Sequence, residues 1–236
     1  MRCKIADLIE EVPAAGDLVS RCRDYLYSGP EEPEIVIQRE HFVPSYYPPN
    51  TPEDLVIYLE SGRLFAYFLL QHDGLFLHAS AVEVDGKAYL FSANSGVGKS
   101  THTRLWQQLH GSKAQILNDD KPALRCLDGV WFAYGLPWCG KDGINQNRRV
   151  PLAGICFLKR GQQNAIRPLT PPEVIPRLLP QTIYKFYIRE DINTLFGHVD
   201  KLLAGIPVFE LECLPDEAAA RLSYESMRRK AEEIGF

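Results

Sequence analysis

The sequence predicts an α/β fold built around a mixed sheet. Two pairs of apolar strand patterns are each joined by an Asp-Gly dipeptide, at residues 85–86 and 128–129, which is a turn preferred in tight hairpins. Helical patterns alternate with further strand patterns along the rest of the chain. Because helical crossovers normally connect the strands of an all-parallel sheet, hairpins among these strands indicate a sheet with both strand directions.

The first 71 residues are predicted to form a strand-rich N-terminal extension that packs on a core of residues 72–236. Four prolines make residues 43–52 a loop, because proline cannot continue a helix and cannot donate to a strand ladder. The other elements predicted in the extension are a strand or short helix at 1–11, strands at 34–38 and 53–59, and a helix at 62–71.

The core is predicted to begin with a strand that leads through a hairpin into a glycine-containing loop and a helix. Gly111 closes that helix, since glycine is favoured just past helix ends. A polar segment with little periodicity occupies residues 135–149. The predicted core strands are 75–84, 87–92, 114–117, 123–127, 130–134, 152–159 and 208–214, and the predicted helices are 101–110, 172–182, 191–204 and 216–234.

Composition excludes several classes of protein. The formal net charge of -4 argues against nucleic-acid binding, which needs clustered Lys and Arg. The first residues carry Asp7, Glu10 and Glu11 where a signal peptide needs an apolar core, and no apolar run reaches the length of a membrane span. The six cysteines lack the close spacing of a zinc site and suit reduced thiols. We therefore expect a cytoplasmic protein with no membrane or nucleic-acid partner.

The loop at residues 93–100 follows a predicted strand and precedes a predicted helix. It matches the phosphate-binding pattern G-x-x-x-x-G-K-[ST] at Gly98, Lys99 and Ser100, with Ala93 in place of the first glycine. Glycines let successive backbone N–H groups converge on phosphate oxygens, and the helix N-terminus adds a favourable dipole. Lys99 would neutralise the β- and γ-phosphates, while the Ser100 hydroxyl would bind Mg²⁺. The residues predicted to bind the nucleoside triphosphate are Asn94, Ser95, Gly96, Val97, Gly98, Lys99, Ser100 and Thr101.

A pair of aspartates, Asp119 and Asp120, ends a predicted strand about twenty residues after the loop. A carboxylate at this place can hold Mg²⁺ beside the phosphates, and a second one can accept a proton from an incoming hydroxyl. Adjacent residues on a strand point to opposite faces, so both reach one site only if the strand ends there. His78, on the predicted strand before the loop, suits either a core histidine or a functional one.

These motifs together resemble the HPr kinase/phosphorylase superfamily. The resemblance covers about residues 72–159 and depends on His-Ala-Ser-Ala-Val at 78–82, Asn-Ser-Gly-Val-Gly-Lys-Ser at 94–100 and Asn-Asp-Asp at 118–120. Residues 137–141, Pro-Trp-Cys-Gly-Lys, are similar to a segment of the small HPr-kinase-like proteins found with peptide-modification clusters. The fold implied is the mixed-sheet P-loop fold of HPr kinases and ATP-type phosphoenolpyruvate carboxykinases. Ala93 and the N-terminal region depart from the family pattern.

The resemblance implies Mg²⁺- and ATP-dependent phosphorylation of a serine in a peptide or protein. It implies that Asp119 is the general base assisted by His78, that Lys99 serves catalysis, and that Asp120 joins Ser100 at the metal. Two other functions stay open, a small-molecule kinase and a nucleotide-binding regulatory subunit without turnover. A homo-oligomer is neither required nor excluded.

Three cations in the polar segment are candidates for contacts with the phosphates or the acceptor. Phosphoryl transfer needs positive charge against the equatorial oxygens and the leaving group. Lys141, Arg148 and Arg149 could supply it, and the alternative is an ordinary solvated loop.

Overall fold

The computed structural model describes residues 1–182 and 189–235. Within those residues, no helix is both long and apolar enough to cross a membrane. The described elements form a small N-terminal sheet, a long helix and a large mixed sheet with helices on both faces.

The N-terminal extension begins with a hairpin. Strands β1 (Arg2–Ile5) and β2 (Leu8–Glu11) pair around Ala6 and Asp7, both at positive φ, a backbone conformation that tight hairpin turns require. For residues 1–11 the sequence predicted either one strand or a short helix. The structure has two paired strands there instead. Helix α1 (Gly16–Arg21) follows, and the short strand β3 (Ile35–Val36) pairs in parallel with β2.

Residues 53–70 form one continuous helix, α2 (Glu53–Leu70). The predicted strand at 53–59 is therefore wrong, while the helix predicted at 62–71 is confirmed. Val56 and Ile57 favour strands, but tertiary packing overrides that preference because Ile57 and Phe65 both lie in the protein interior. Glu53 and Asp54 in the first turn also suit the positive end of the helix dipole.

The described residues form a sheet of nine strands. Their bounds are β4 (Gly74–Phe76), β5 (Ala79–Val84), β6 (Lys87–Ser92), β7 (Ala114–Asp120), β8 (Ala123–Leu127), β9 (Val130–Tyr134), β10 (Arg149–Arg160), β11 (Ala165–Pro168) and β12 (Val208–Cys213). The order is β4-β8-β9-β10-β6-β5-β7, with β12 paired to β10 and β11 paired to β12. Strand β10 runs parallel to β6 and β12 and antiparallel to β9. The predicted mixed α/β fold is confirmed.

Both predicted hairpins are present. β5 and β6 turn at Asp85-Gly86, and β8 and β9 turn at Asp128-Gly129, with positive φ at all four residues. The single strand predicted at 75–84 is divided, because β4 pairs with β8 whereas β5 pairs with β6. His78 lies at this division rather than within a strand.

Helices cover the two faces of the sheet. α4 (Pro171–Leu178) and α5 (Arg189–Gly205) pack on one face, and α3 (Lys99–His110) and α6 (Glu217–Glu233) pack on the other. Neighbouring residues of β6 point to opposite faces of the sheet. Leu90 lies in the hydrophobic core beneath α4 and α5, and Phe91 lies in the core beneath α3 and α6. A third core joins the N-terminal extension to Phe76 and Trp138 of the remaining chain.

Candidate active site

The glycine loop connects β6 to α3 on the sheet face that α3 covers. Gly96 and Gly98 have φ angles of 79° and 127°, which side-chain-bearing residues rarely adopt, and neither is crowded. Gly98 occupies the N-cap position of α3 and brings no side chain to the first N–H groups of that helix. Arg160 donates hydrogen bonds to the carbonyl groups of Gly96 and Val97 on the outer side of the loop. The loop thus leaves the first N–H groups of α3 open, which is the geometry that an anion-binding helix start needs.

Lys99 lies at the inner end of the loop and is only 9% exposed. Its Nζ donates to the Ala93 carbonyl at 3.1 Å and lies 3.0 Å from His78 Nε2. Burial lowers the pKa of Lys99, although the carboxylates of Asp120 and Asp119 act in the opposite direction. Ala93 contributes its backbone carbonyl, which accepts the hydrogen bond from Lys99. Its φ angle is not positive, so the backbone at position 93 does not require glycine. Alanine therefore fits where the usual pattern has glycine.

The two aspartates end β7 and face different partners. Asp119 is buried, and its Oδ1 accepts a hydrogen bond of 2.9 Å from Ser100 Oγ. Asp120 has a positive φ of 125°, and its Oδ1 lies 3.3 Å from His78 Nε2. Its Oδ2 lies 3.5 Å from Lys121 Nζ. Because the strand ends at Asp120, both carboxylates reach the same cavity from different sides.

The charge state of Asp120 follows from these contacts. Burial by itself raises the pKa of this carboxyl group. The hydrogen bond from His78 and the nearby positive charges, Lys121 first, outweigh burial and leave the pKa below its usual value. Asp120 is therefore ionised at neutral pH.

His78 is oriented by Gln181, a residue for which the sequence carried no signal. The Gln181 amide nitrogen donates to Asn94 Oδ1 at 3.0 Å, which turns its Oε1 towards His78 Nδ1 at 2.9 Å. Nδ1 is thereby the donor to Gln181, and Nε2 faces both Lys99 Nζ at 3.0 Å and Asp120 Oδ1 at 3.3 Å.

These groups open onto one cavity of about 690 Å³. Its polar lining contains ten of the residues predicted for the site, namely His78, Ser95, Gly96, Gly98, Lys99, Ser100, Thr101, Asp119, Asp120 and Lys141. Asn94 contributes indirectly through Gln181, and Val97 faces a neighbouring cavity. Arg104 and Lys121 also line the cavity, and they had not been singled out from the sequence.

Arg148 and Arg149 do not reach this cavity. Arg148 is paired with Glu83 and bonded to Gln115 near the far ends of β5 and β7. Arg149 pairs with Asp7 at 2.7 Å and lies over the Phe132 ring. Of the three cations predicted to contact phosphate or acceptor, only Lys141 lies at the cavity.

The polar segment that carries Lys141 is held against the end of β7. Asp119 N donates to the Ile144 carbonyl at 3.1 Å, and Gly140 N donates to the Asp119 carbonyl. A Cβ at Gly140 would lie 2.8 Å from that carbonyl oxygen, so the close approach requires glycine. Arg21 of the N-terminal extension donates to the carbonyls of Cys139 and Gly140, each at 3.1 Å. The segment is thus fixed by contacts that its own sequence does not reveal.

The oxygen pair of Ser100 and Asp119 fits a magnesium ion. Mg²⁺ prefers oxygen ligands and usually takes one or two carboxylates, with water and phosphate completing its shell. The described residues contain no cluster of three His, Cys, Asp or Glu side chains that could hold a metal without such help. The donor set therefore suits a metal that arrives with a phosphate ligand.

A second cavity of about 400 Å³ lies behind the glycine loop. It shares Gly96, Gly98 and Thr101 with the phosphate side. The remainder of its lining is mainly apolar and includes Val97, Leu105, Leu158, Leu214 and Pro215.

Comparison with known proteins gives distant structural similarities and no sequence match. No protein-family model matches the chain, and no curated protein matches it. Among solved structures, the chain is similar to the HPr(Ser) kinase/phosphatase from Coxiella burnetii, with 12% sequence identity and a TM-score of 0.36. That match covers 66% of this chain and 95% of the other. A similarity this low carries no argument about function, which has to come from the site itself.

Proposed function

We propose that this protein is a Mg²⁺- and ATP-dependent kinase that phosphorylates a serine of a peptide or protein. The observation that carries the proposal is the convergence of Lys99, the Ser100–Asp119 pair and the His78–Asp120 pair on one cavity. The P-loop fold of the HPr kinase and ATP-type phosphoenolpyruvate carboxykinase kind is part of the same proposal. The proposal also includes a cytoplasmic location, because the cysteines of the chain are free thiols and that compartment keeps thiols reduced.

Phosphate binding is assigned to the glycine loop and the start of α3. The backbone N–H groups of residues 95–100 would converge on phosphate oxygens, favoured by the helix dipole. Lys99 is already desolvated and held by the Ala93 carbonyl, so its ammonium group needs little reorganisation to face the β- and γ-phosphates. Lys141, which lines the same cavity, would add positive charge, whereas Arg104 is paired with Asp142.

Metal binding is assigned to Ser100 and Asp119. Their oxygens are 2.9 Å apart, which places a hydroxyl and a carboxylate side by side. Mg²⁺ bound there would neutralise charge on the phosphate oxygens. This assignment reverses the sequence-based one, which gave the metal to Asp120, because Asp120 faces His78 and Lys121 instead.

Proton removal is assigned to Asp120, with His78 beside it. The acceptor oxygen would form a bond to the terminal phosphorus while its proton passes to the Asp120 carboxylate. The bond from that phosphorus to the bridging oxygen breaks, and its electron pair leaves on the diphosphate. His78 Nε2 lies 3.3 Å from the carboxylate and would hold it in place for this step.

The apolar cavity behind the loop suits the nucleobase. A flat heterocycle can lie against Val97, Leu158 and Pro215 while its phosphates reach the glycines that both cavities share. The choice of adenine over guanine comes from the family resemblance alone.

The proposal is tested by incubating the protein with Mg²⁺, γ-labelled ATP and a degenerate serine peptide library. We expect phosphoserine on peptides, lost in Lys99→Ala and when Mg²⁺ is chelated. A parallel incubation with a panel of metabolites tests the small-molecule alternative. Label on metabolites alone, or nucleotide binding without any labelled product, would overturn the peptide kinase.

A further inference from the structure

A pocket of about 430 Å³ lies on the other side of the proposed base from the phosphate cavity. Leu59, His78, Asp120 and Lys121 line both spaces, so the two meet at the proton-accepting pair. An acceptor hydroxyl at Asp120 would have its flanking atoms in this pocket. Five aromatic rings contribute to its wall: Tyr46, Tyr47, Tyr58, Phe76 and Trp138.

The wall presents ring carbon because polar tips of these rings are bonded elsewhere. The Tyr47 hydroxyl donates to Glu60 at 2.8 Å, and the Tyr58 hydroxyl donates to the Cys139 carbonyl at 2.9 Å. Trp138 Nε1 donates to Ser61 Oγ at 3.0 Å. A ligand therefore meets mostly apolar faces, and aromatic rings favour another ring stacked or edge-on against them.

The charges in the wall are compensated. Arg63 is paired with the buried Glu60 at 2.9 Å, and Lys121 is paired with Asp120 at 3.5 Å. A charged ligand group would have to compete with these partners after losing its own water. An uncharged group is therefore favoured.

The pocket is held in shape before any ligand arrives. Glu60 is fully buried and accepts from Val43 N and Tyr47 Oη, each at 2.8 Å, which binds residues 43–47 to α2. Phe65 stacks on Trp138 from below, with ring centroids 4.9 Å apart. A preformed pocket loses little entropy on binding, so its shape can select a ligand.

We propose that this pocket selects the acceptor by taking an aromatic side chain that lies within two residues of the phosphorylated serine. This inference rests on the proposed function, because it names the substrate class of the same site. It assigns acceptor recognition to the N-terminal extension, which supplies Tyr46, Tyr47 and Tyr58.

The experiment compares serine peptides that differ only at positions flanking the serine, with Phe, Leu, Ala, Asp or Lys at each. We expect kcat/KM for the best Phe peptide to exceed that of its Ala counterpart by about tenfold to a hundredfold. Asp and Lys peptides should fall at or below Ala. Tyr46→Ala, at a ring that is 42% exposed, should reduce the Phe-to-Ala ratio, and Tyr46→Phe should restore it.

Leu55→Ala is the matched control, since Leu55 is 45% exposed at the start of α2 and does not line the pocket. It should leave the ratio unchanged, and thermal melts of all three variants should show a folded protein. Labelled peptides with equal use of Phe and Ala would overturn this inference and leave the proposed function standing. A ratio that survives Tyr46→Ala would overturn the pocket assignment. No labelled peptide of any composition would overturn both.

Discussion

The phosphate side and the aromatic side of the candidate site are built in contrasting ways. The phosphate side uses backbone amides, lysines and short polar side chains, mostly from consecutive segments: the loop after β6, the start of α3 and the end of β7. The aromatic side uses large rings from α2, residues 43–47, β4 and Trp138, which lie far apart in the chain. Phosphate binding needs a few groups at a set spacing, whereas a shaped wall needs surface area from several elements. The first can be encoded locally and the second cannot.

The two sides are joined at Cys139 and Gly140. Tyr58 and Arg21 bind these residues from the N-terminal extension, and Gly140 in turn contacts Asp119. A change on the aromatic side can therefore reach Asp119, the carboxylate proposed to bind the metal. The variants below separate local effects from transmitted ones.

The largest expected effect is at Lys99. Lys99→Ala removes the desolvated charge at the centre of the phosphate side, and we expect phosphoryl transfer to fall by about a thousandfold or more. Single-turnover transfer from γ-labelled ATP measures this. Lys113→Ala, an exposed lysine just after α3, is the control and should retain activity. Full activity in Lys99→Ala would remove the basis of the phosphate assignment.

The next effect separates the two aspartates. Asp120→Asn should bind Mg²⁺-ATP but transfer about a hundredfold to ten-thousandfold more slowly, because the proton acceptor is lost. Asp119→Asn should instead raise the Mg²⁺ concentration needed for half-maximal activity. Magnesium titrations of the activity of both variants distinguish the two roles. A higher Mg²⁺ requirement in Asp120→Asn, together with slow transfer at saturating Mg²⁺ in Asp119→Asn, would restore Asp119 as the base.

Stability of the phosphate side should depend on pH through His102 of α3. Burial lowers the pKa of His102 to about 4, and its Nε2 lies 2.9 Å from Ser223 Oγ. The unfolded chain takes up this proton near pH 6.5, so stability is complete above that pH and is lost as pH falls towards 4. We expect this histidine to reduce the free energy of unfolding by about 3 kcal/mol across that window. Denaturant titrations at several pH values should show a shallower dependence in His102→Gln, and an unchanged slope would contradict the burial argument.

The smallest expected effect tests the junction between the sides. Tyr58→Phe leaves the buried Cys139 N–H without the hydroxyl that accepts from it at 2.8 Å, which should destabilise the protein by about 1–3 kcal/mol. Thermal unfolding measures this, and the Mg²⁺ dependence of activity reports whether the loss is transmitted to Asp119. Tyr27→Phe removes a solvent-exposed hydroxyl bonded to Glu31 and should leave the stability nearly unchanged. Equal effects of the two substitutions would argue against a structural junction at Cys139.

Prediction from sequence succeeded where structure is local. The turns at Asp85-Gly86 and Asp128-Gly129 and the helix end at Gly111 each depend on neighbouring residues only, and all three are present. Prediction failed at residues 53–59, where β-branched residues suggested a strand but burial on several sides makes a helix. The orientation of His78 could not be predicted either, because Gln181 lies 103 residues away in the chain.

By itself, the sequence determined the mixed α/β class, the glycine loop and the set of polar residues that could serve a phosphate site. Their residue types and spacing are enough, because short-range backbone geometry places them. The tertiary structure decided which aspartate faces Ser100, why Arg148 and Arg149 are excluded, and how the N-terminal extension completes the cavity. Those outcomes depend on where a strand ends and on contacts between distant segments, and neither is written in any local run of residues.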